Sequence, residues 1–285
     1  MTDIIDCRIQ PPYGSFGSIH FFRERDPDPD VVTATPFVLD REPMPSFDQF
    51  SMHLFEQEME RAGIQHAVVM GQKASAEYGC VDNVDIARLA ADAPQKYTGF
   101  AGIDASSPDA MEQLEAVVAA GCRGISVIPG WSVEPHHEDA PRLTPVLREC
   151  AARGLPVVFT SSHYIGPDMS WSEPHFLQRA ALAHPDLTII VGHASWPWTV
   201  AVCALAMRCP NVYLMPEFYM YLPNMPGARD YVDAANGFLK HRFLYSSCYP
   251  SRSLEQALRE FDELGLSPAS RKLMLHDNAA RVLGW

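Results

Sequence analysis

The stretch Asp3-Ile4-Ile5-Asp6-Cys7-Arg8-Ile9-Gln10-Pro11 reads as a short buried strand, Ile4–Cys7, running into an alternating polar pair, Arg8 and Gln10. Successive strand residues point to opposite faces, so residues two apart share one. The strand therefore delivers a guanidinium and an amide to the same spot. Outward from it, seven more short apolar runs read as strands: His66–Met70, Gly99–Ile103, Gly124–Ile128, Pro156–Thr160, Thr188–Gly192, Val212–Met215 and Phe243–Ser246. Longer amphipathic segments alternate with them, at Phe47–Ala62, Asp82–Ala93, Pro108–Ala120, Arg142–Arg153, Glu173–Ala183, Thr199–Arg208, Arg229–Leu239 and Ser253–Leu264. Ser107-Pro108 places Pro at a first helical position and Gly121 closes that helix. Gly63, Gly154 and Gly265 follow other helices, where a left-handed cap is wanted.

Eight strands, each followed by a helix, is the count of a (β/α)8 TIM barrel, an α/β fold that commonly occupies this length as a single domain, here 1–285. A doubly wound open sheet is the competing architecture, and no glycine-rich phosphate turn follows the first strand to favour it. The proline-rich stretch 11–45 reads as a lid-like insertion or a surface excursion over the barrel end. The tail Pro268–Trp285 reads as two short helices.

Composition bounds the partners. With 47% hydrophobic and 20% charged residues in 285, the chain can bury a large core. A net charge of −13 argues against nucleic acid or an anionic membrane, but leaves an anionic small molecule open to a locally basic pocket. No apolar run approaches the roughly 18 residues of a membrane span, and no signal-type segment precedes the first strand. The expectation is a cytoplasmic protein. Seven scattered cysteines without a CxxC pair read as reduced thiols, not as a disulfide framework or zinc ribbon.

Several segments, in order and spacing, resemble amidohydrolase family 2, the relatives of aminocarboxymuconate-semialdehyde decarboxylase. They are Met59-Glu60-Arg61-Ala62-Gly63-Ile64, Tyr97-Thr98-Gly99-Phe100-Ala101-Gly102-Ile103-Asp104, Gly154-Leu155-Pro156-Val157-Val158-Phe159-Thr160, Pro185-Asp186-Leu187-Thr188-Ile189-Ile190-Val191-Gly192-His193 and Arg242-Phe243-Leu244-Tyr245-Ser246-Ser247-Cys248-Tyr249-Pro250, with the ending Asn278-Ala279-Ala280-Arg281-Val282-Leu283-Gly284. The resemblance implies a barrel with a divalent metal held by an Asp-x-His-x-His pair on the first strand, a His on the fifth and an Asp on the eighth. Those four ligand positions here carry Arg8, Gln10, Thr160 and Cys248. The His of the sixth strand, a proton-transfer group in the family's decarboxylases, is kept as His193. The family also implies a homodimer.

The substituted set has its own chemistry. A guanidinium has no lone pair to give and stays charged, so Arg8 repels a cation where the metal would sit. Gln10 and Thr160 are poor ligands for zinc or manganese. Cys248 could bind zinc only with partners, for which His193 and His163 are the nearby candidates. The expectation is therefore no cofactor, with a residual zinc site as the disfavoured alternative. Arg8 can instead hold a substrate carboxylate or stabilise a developing oxyanion, or be paired to a structural acid such as Glu217, which would make it scaffold. His193 suits a general acid or base. Cys248 beside an arginine is expected to have a lowered thiol pKa and to act as acid, base or nucleophile.

Gln10, Thr160 and His163, with Trp196, Tyr219 and Tyr249 among the aromatics that follow strands, make a substrate-binding set for a small carboxylate. Trp131, Trp171 and Tyr221 also follow strands. His136-His137-Glu138-Asp139 reads as a solvated loop, and Asp26–Asp30 as a solvated acidic run. The favoured function is a hydrolase acting without a metal on a small carboxylated or lactone substrate. The alternatives are a non-oxidative decarboxylase of a small aromatic or conjugated acid, and an inactive barrel that binds a small acid.

Overall fold

The sequential apolar runs pair in chain order. In a computed structural model, which describes residues 3–23 and 40–285, the strands are β1 (Ile4–Ile9), β2 (Ile64–Met70), β3 (Tyr97–Gly102), β4 (Gly124–Val127), β5 (Val157–Ser162), β6 (Ile189–Trp196) and β7 (Val212–Met215). They form one parallel sheet in the order β1 to β7. Eight helices of nine or more residues lie between and after them among the described residues: α1 (Met52–Ala62), α2 (Asn83–Asp92), α3 (Ala110–Ala119), α4 (Thr144–Arg153), α5 (Pro174–Ala183), α6 (Thr199–Arg208), α7 (Ala228–Asn236) and α8 (Leu254–Asp262). The architecture is a (β/α)8-like α/β barrel in one domain.

The eighth segment sits where a closing strand belongs but forms no regular ladder. Leu244 N–H bonds the Leu214 carbonyl at 2.9 Å on one side, and Cys7 N–H bonds the Tyr245 carbonyl at 3.0 Å on the other. Beyond that, side chains take over from the ladder. Ser247 N–H donates to Asp6 Oδ1 (3.1 Å), Ser246 Oγ donates to the Arg8 carbonyl (3.1 Å), and Cys248 N–H donates to Ser246 Oγ (3.1 Å). Serine and aspartate bonding to nearby backbone compete with sheet pairing, which is why Phe243–Ser246 is extended without being a strand.

Other boundaries moved for local reasons. Phe47–Ala62 is two helices, not one: Pro45–Asp48 ends before Phe50, which turns left-handed at φ 48°, and Ser51 then caps α1 by accepting from Leu54 N–H at 3.4 Å. The third helix starts at Ala110, not Pro108, because two backbone turns, Ser107 to Asp104 and Ala110 to Ser107, precede it. The tail is a five-residue helix, a wider turn at Leu273–Asp277, and a last helix at Asn278–Leu283.

Strand alternation builds two cores. Ile5, Cys7, Val68, Met70, Phe100, Val158, Ile190, Tyr213, Met215 and Leu244 fill the barrel interior, which Ala279 and Leu283 of the tail plug at the strands' N-terminal end. Ile4, Ile9, Ala67, Val69, Ile125, Phe159, Val191 and Leu214 face the helices. Ile5 and Cys7 point inward and Ile9 outward, so strict alternation breaks between them. The break coincides with a register shift between Asp6 and Ile9 against β2. This irregularity re-aims Arg8 and Gln10 toward the barrel mouth.

Of the 11–45 insertion, residues 11–23 hold two short helical turns with Phe16, Ile19 and Phe22 buried. Residues 24–39, including the Asp26–Asp30 run, lie outside the described residues. Among the described residues no helix is long and apolar enough to cross a membrane. All seven cysteines are free thiols.

Candidate active site

The C-terminal ends of β1, β5, β6, β7 and the eighth segment converge on one carboxylate, Glu217. Its side chain is fully sealed from solvent. Arg8 Nη1 reaches Glu217 Oε1 at 3.4 Å and donates to Thr160 Oγ1 at 3.2 Å. His193 Nδ1 lies 2.9 Å from Glu217 Oε2. The Cys248 thiol also faces this carboxylate. Gly192, just before His193, leaves the room: a Cβ there would stand 3.0 Å from Arg8 Nη1.

The backbone is unusual at these positions. His193, Glu217 and Cys248 all have positive φ, at 64°, 59° and 56°, and Ala194 and Ser195 continue the left-handed turn after His193. Non-glycine residues held there cost of order 1–3 kcal/mol each and persist where the surroundings over-determine them, which is common at functional sites. Positive φ thus recurs at the three residues whose side chains meet.

Electrostatics follow from this geometry. Burial alone would raise the Glu217 carboxyl, but the His193 and Arg8 charges, with hydrogen bonds from His193 and Cys248, outweigh it and hold the group at about 2. The Cys248 thiol goes the other way. Burial, then the Glu217 charge, push it well above the ordinary thiol range despite Arg8. This corrects the expectation of a lowered thiol pKa: burial comes first, and the carboxylate facing the sulfur adds to it against Arg8. Cys248 is a thiol at neutral pH.

The rim is aromatic and amide-lined. Tyr219 stacks on Trp196 (ring centroids 5.2 Å apart, 15° between planes), and its hydroxyl meets His163 Nδ1 at 3.3 Å. His163 stands edge-on to Trp196 and is held toward its neutral form by burial and by His193. Gln10 Nε2 donates to Gln72 Oε1 (3.3 Å), and Gln72 Nε2 donates to the carbonyls of Tyr78 and Gly79. Those carbonyls can only accept, which fixes both amide orientations.

Two residues are placed otherwise than expected. The Tyr249 hydroxyl is turned away to Ser46 Oγ at 2.8 Å and its ring packs on Phe55, so it serves the scaffold. The His136-His137-Glu138-Asp139 loop is not solvated throughout, since His136 and Glu138 are buried. Trp131 stacks on Tyr78 at 4.0 Å in a separate rim cluster. Tyr221 clamps the carbonyls of Ser246 and Ser247.

Glu217 and Gln72 were not singled out as site residues from sequence. The available signal was positional: each is a polar residue two places beyond the end of a buried strand, at Met70 and Met215.

The family model of the amidohydrolases matches residues 5–285. The chain belongs to the amidohydrolase family. An uncharacterized TIM-barrel protein from Bordetella bronchiseptica matches with a TM-score of 0.91 and 34% identity over 99% of this chain and 98% of that one. More distant amidohydrolase-like folds include 2,6-dihydroxybenzoate decarboxylase complexed with 2,6-dihydroxybenzoate (TM-score 0.68, 17% identity, all of both chains). Another is a probable 2-pyrone-4,6-dicarboxylic acid hydrolase from Acinetobacter baumannii with citric acid bound (TM-score 0.67, 14% identity, all of both chains). No curated protein matches the chain.

Amidohydrolases of this type imply a divalent metal, so the donor set is the test. Among the described residues one trio, His193, Glu217 and Cys248, brings a ligand atom from each within 4.8 Å of the others. A dication there would share its carboxylate with Arg8. At about 4 Å and an effective dielectric of about 20, the guanidinium would repel it by on the order of 8 kcal/mol, as much as one carboxylate at that distance attracts it. By charge, the trio beside Arg8 is a poor fit for a divalent cation.

Proposed function

We propose that this amidohydrolase acts without a catalytic metal and hydrolyses a small carboxylated or lactone substrate at the barrel mouth. The observation that carries the reading is the Arg8 guanidinium set against Glu217 and Thr160 beside His193. A fixed charge with directed N–H groups stands where the family resemblance places the metal. Both side-chain hydrogen bonds of Arg8 use Nη1, which leaves its other N–H groups for a substrate oxygen.

In this reading water loses a proton to His193 as its oxygen bonds to the acyl carbon of the ester. The tetrahedral oxyanion is stabilised by N–H groups of Arg8. It collapses with cleavage of the acyl C–O bond, and the proton passes from His193 to the leaving alkoxide. A lactone plus water becomes a hydroxy acid. Gln10, Thr160 and His163, with the Trp196–Tyr219 stack, bind the ring and orient its polar edge. Cys248 contributes a thiol proton toward Glu217 and not a nucleophile.

A second reading, decarboxylation of a small aromatic or conjugated acid, is favoured by that flat aromatic stack and by fold neighbours described as decarboxylases. The test is a panel of lactones and aromatic carboxylic acids with and without chelator. Turnover to ring-opened acid that survives chelation and metal analysis supports the first reading, and released carbon dioxide selects the second. Loss of activity on chelation, restored by zinc or manganese, overturns the metal-free proposal. His193→Asn should lower kcat/KM by about 100-fold or more, while unchanged turnover removes His193 from the chemistry. A homodimer is proposed from the resemblance alone and a cytoplasmic location from the scattered cysteines, and a sedimentation mass of one chain would reject the dimer.

A further inference from the structure

We infer that Glu217 is the positioning residue of the site: it holds the His193 proton on Nδ1 and so leaves Nε2 as the base. The inference deepens the hydrolytic reading, and rests on it only for the direction in which the proton then moves.

Two sealed atoms face each other in the site. His193 Nδ1 and Glu217 Oε2 are 2.9 Å apart, and neither has another hydrogen-bond partner. An unsatisfied buried polar atom costs about 1–3 kcal/mol, and at 2.9 Å each is the other's near partner, with the Cys248 thiol facing the same carboxylate. Their approach is close but off the N–H line, as resting catalytic bonds often are before substrate tightens them. An ionised carboxylate has only lone pairs to offer. Arg8 on Oε1 keeps Glu217 ionised, so the hydrogen in the gap must belong to the imidazole.

The other neighbours of the ring do not compete. Tyr219 presents its ring at 5.5 Å and Phe218 at 5.9 Å, and the Tyr219 hydroxyl is engaged with His163. Nδ1 is sealed, whereas Nε2 is not among the sealed unpartnered atoms.

A chemical consequence follows. A neutral imidazole with its Nε2 lone pair free takes a proton first, and Glu217 stabilises the imidazolium so formed.

The tautomer can be read without a substrate. Ring 15N shifts of the 11 histidines would be recorded on the folded protein at a pH where the His193 signal is that of the neutral ring, with His193 assigned by its absence in His193→Gln. The expected result is a protonated Nδ1 and a bare Nε2. Glu217→Met alone leaves a buried cation unpaired and endangers folding, so the companion is the double variant Arg8→Met/Glu217→Met. There His193 should lose the Nδ1–H signature. A wild-type ring protonated on Nε2, or a double variant with unchanged 15N shifts, overturns the proposal. Because no turnover is measured, either result is separate from success or failure of the hydrolytic reading.

Discussion

Glu217 and Glu138 are both buried carboxyls in loops that follow barrel strands, and they ionise in opposite senses. Glu217 has Arg8 and His193 against it and is held at about 2. Glu138 lies in the loop after β4 with one oxygen unpartnered. Burial, helped by nearby Asp139 and opposed by its own backbone N–H, pushes it up to about 8. Burial is common to both. What separates them is a cation within reach, which Arg8 supplies to Glu217. A buried carboxylate with a paired guanidinium remains a charge that can organise a site. A buried carboxyl without one becomes a neutral acid.

The largest effect that can break this comparison is on stability. Arg8→Met should destabilise by about 3–5 kcal/mol in chemical denaturation, because it leaves Glu217 buried and unpaired. The double variant Arg8→Met/Glu217→Met should recover most of that loss, since removing both charges leaves nothing uncompensated. A double variant as unstable as the single would mean that Arg8 acts through packing.

The next effect sharpens the contrast through pH. For Glu138 the folded pKa, about 8, lies above the unfolded value near 4.5. Between those pH values the unfolded chain gives up its proton first, so stability falls as pH rises through the window. Asp6, raised to about 7 by burial, adds a fall of the same sign between roughly pH 4 and 7. Glu138→Gln should remove its share, on the order of 3 kcal/mol between pH 5 and pH 8. It should leave the lower-pH fall from Asp6 in place. Equal slopes for wild type and variant would show that Glu138 is ionised or solvated.

The smallest effect concerns Cys248. A thiol pushed up by burial and by Glu217 should resist iodoacetamide in the native protein at pH 7.5, while denatured protein is alkylated fully. Rapid native alkylation at Cys248, read by peptide mass spectrometry, would restore it as a candidate nucleophile.

Much of the fold was legible in the chain because local rules write it. Val212–Met215 and Thr199–Arg208 appear with the boundaries expected from apolar runs and helical spacing. Gly63 and Gly154 close helices in left-handed conformations, as their positions demanded. Misplaced elements were those where side chains compete with backbone pairing. The serines around 246–247 disturb the eighth strand, and the Phe50–Ser51 break divides the helix expected over 47–62. The approximate cluster was legible too, since Arg8, Gln10, Thr160, His193 and Cys248 all fall at strand ends.

Sequence alone determined the alternation of strand and helix and the barrel count, and it placed Arg8, Gln10, Thr160 and Cys248 at strand ends. These are matters of residue type and short-range period. Tertiary structure decided what the substituted residues do to one another. It set Arg8 against Glu217, 209 positions along the chain, and put the Cys248 thiol against the same carboxylate, reversing the direction of its pKa. It also sealed Glu138 in a loop that composition marks as polar. Ionisation in a barrel mouth depends on which charges meet and on what excludes water from them, and neither distance nor burial is a local property of the chain.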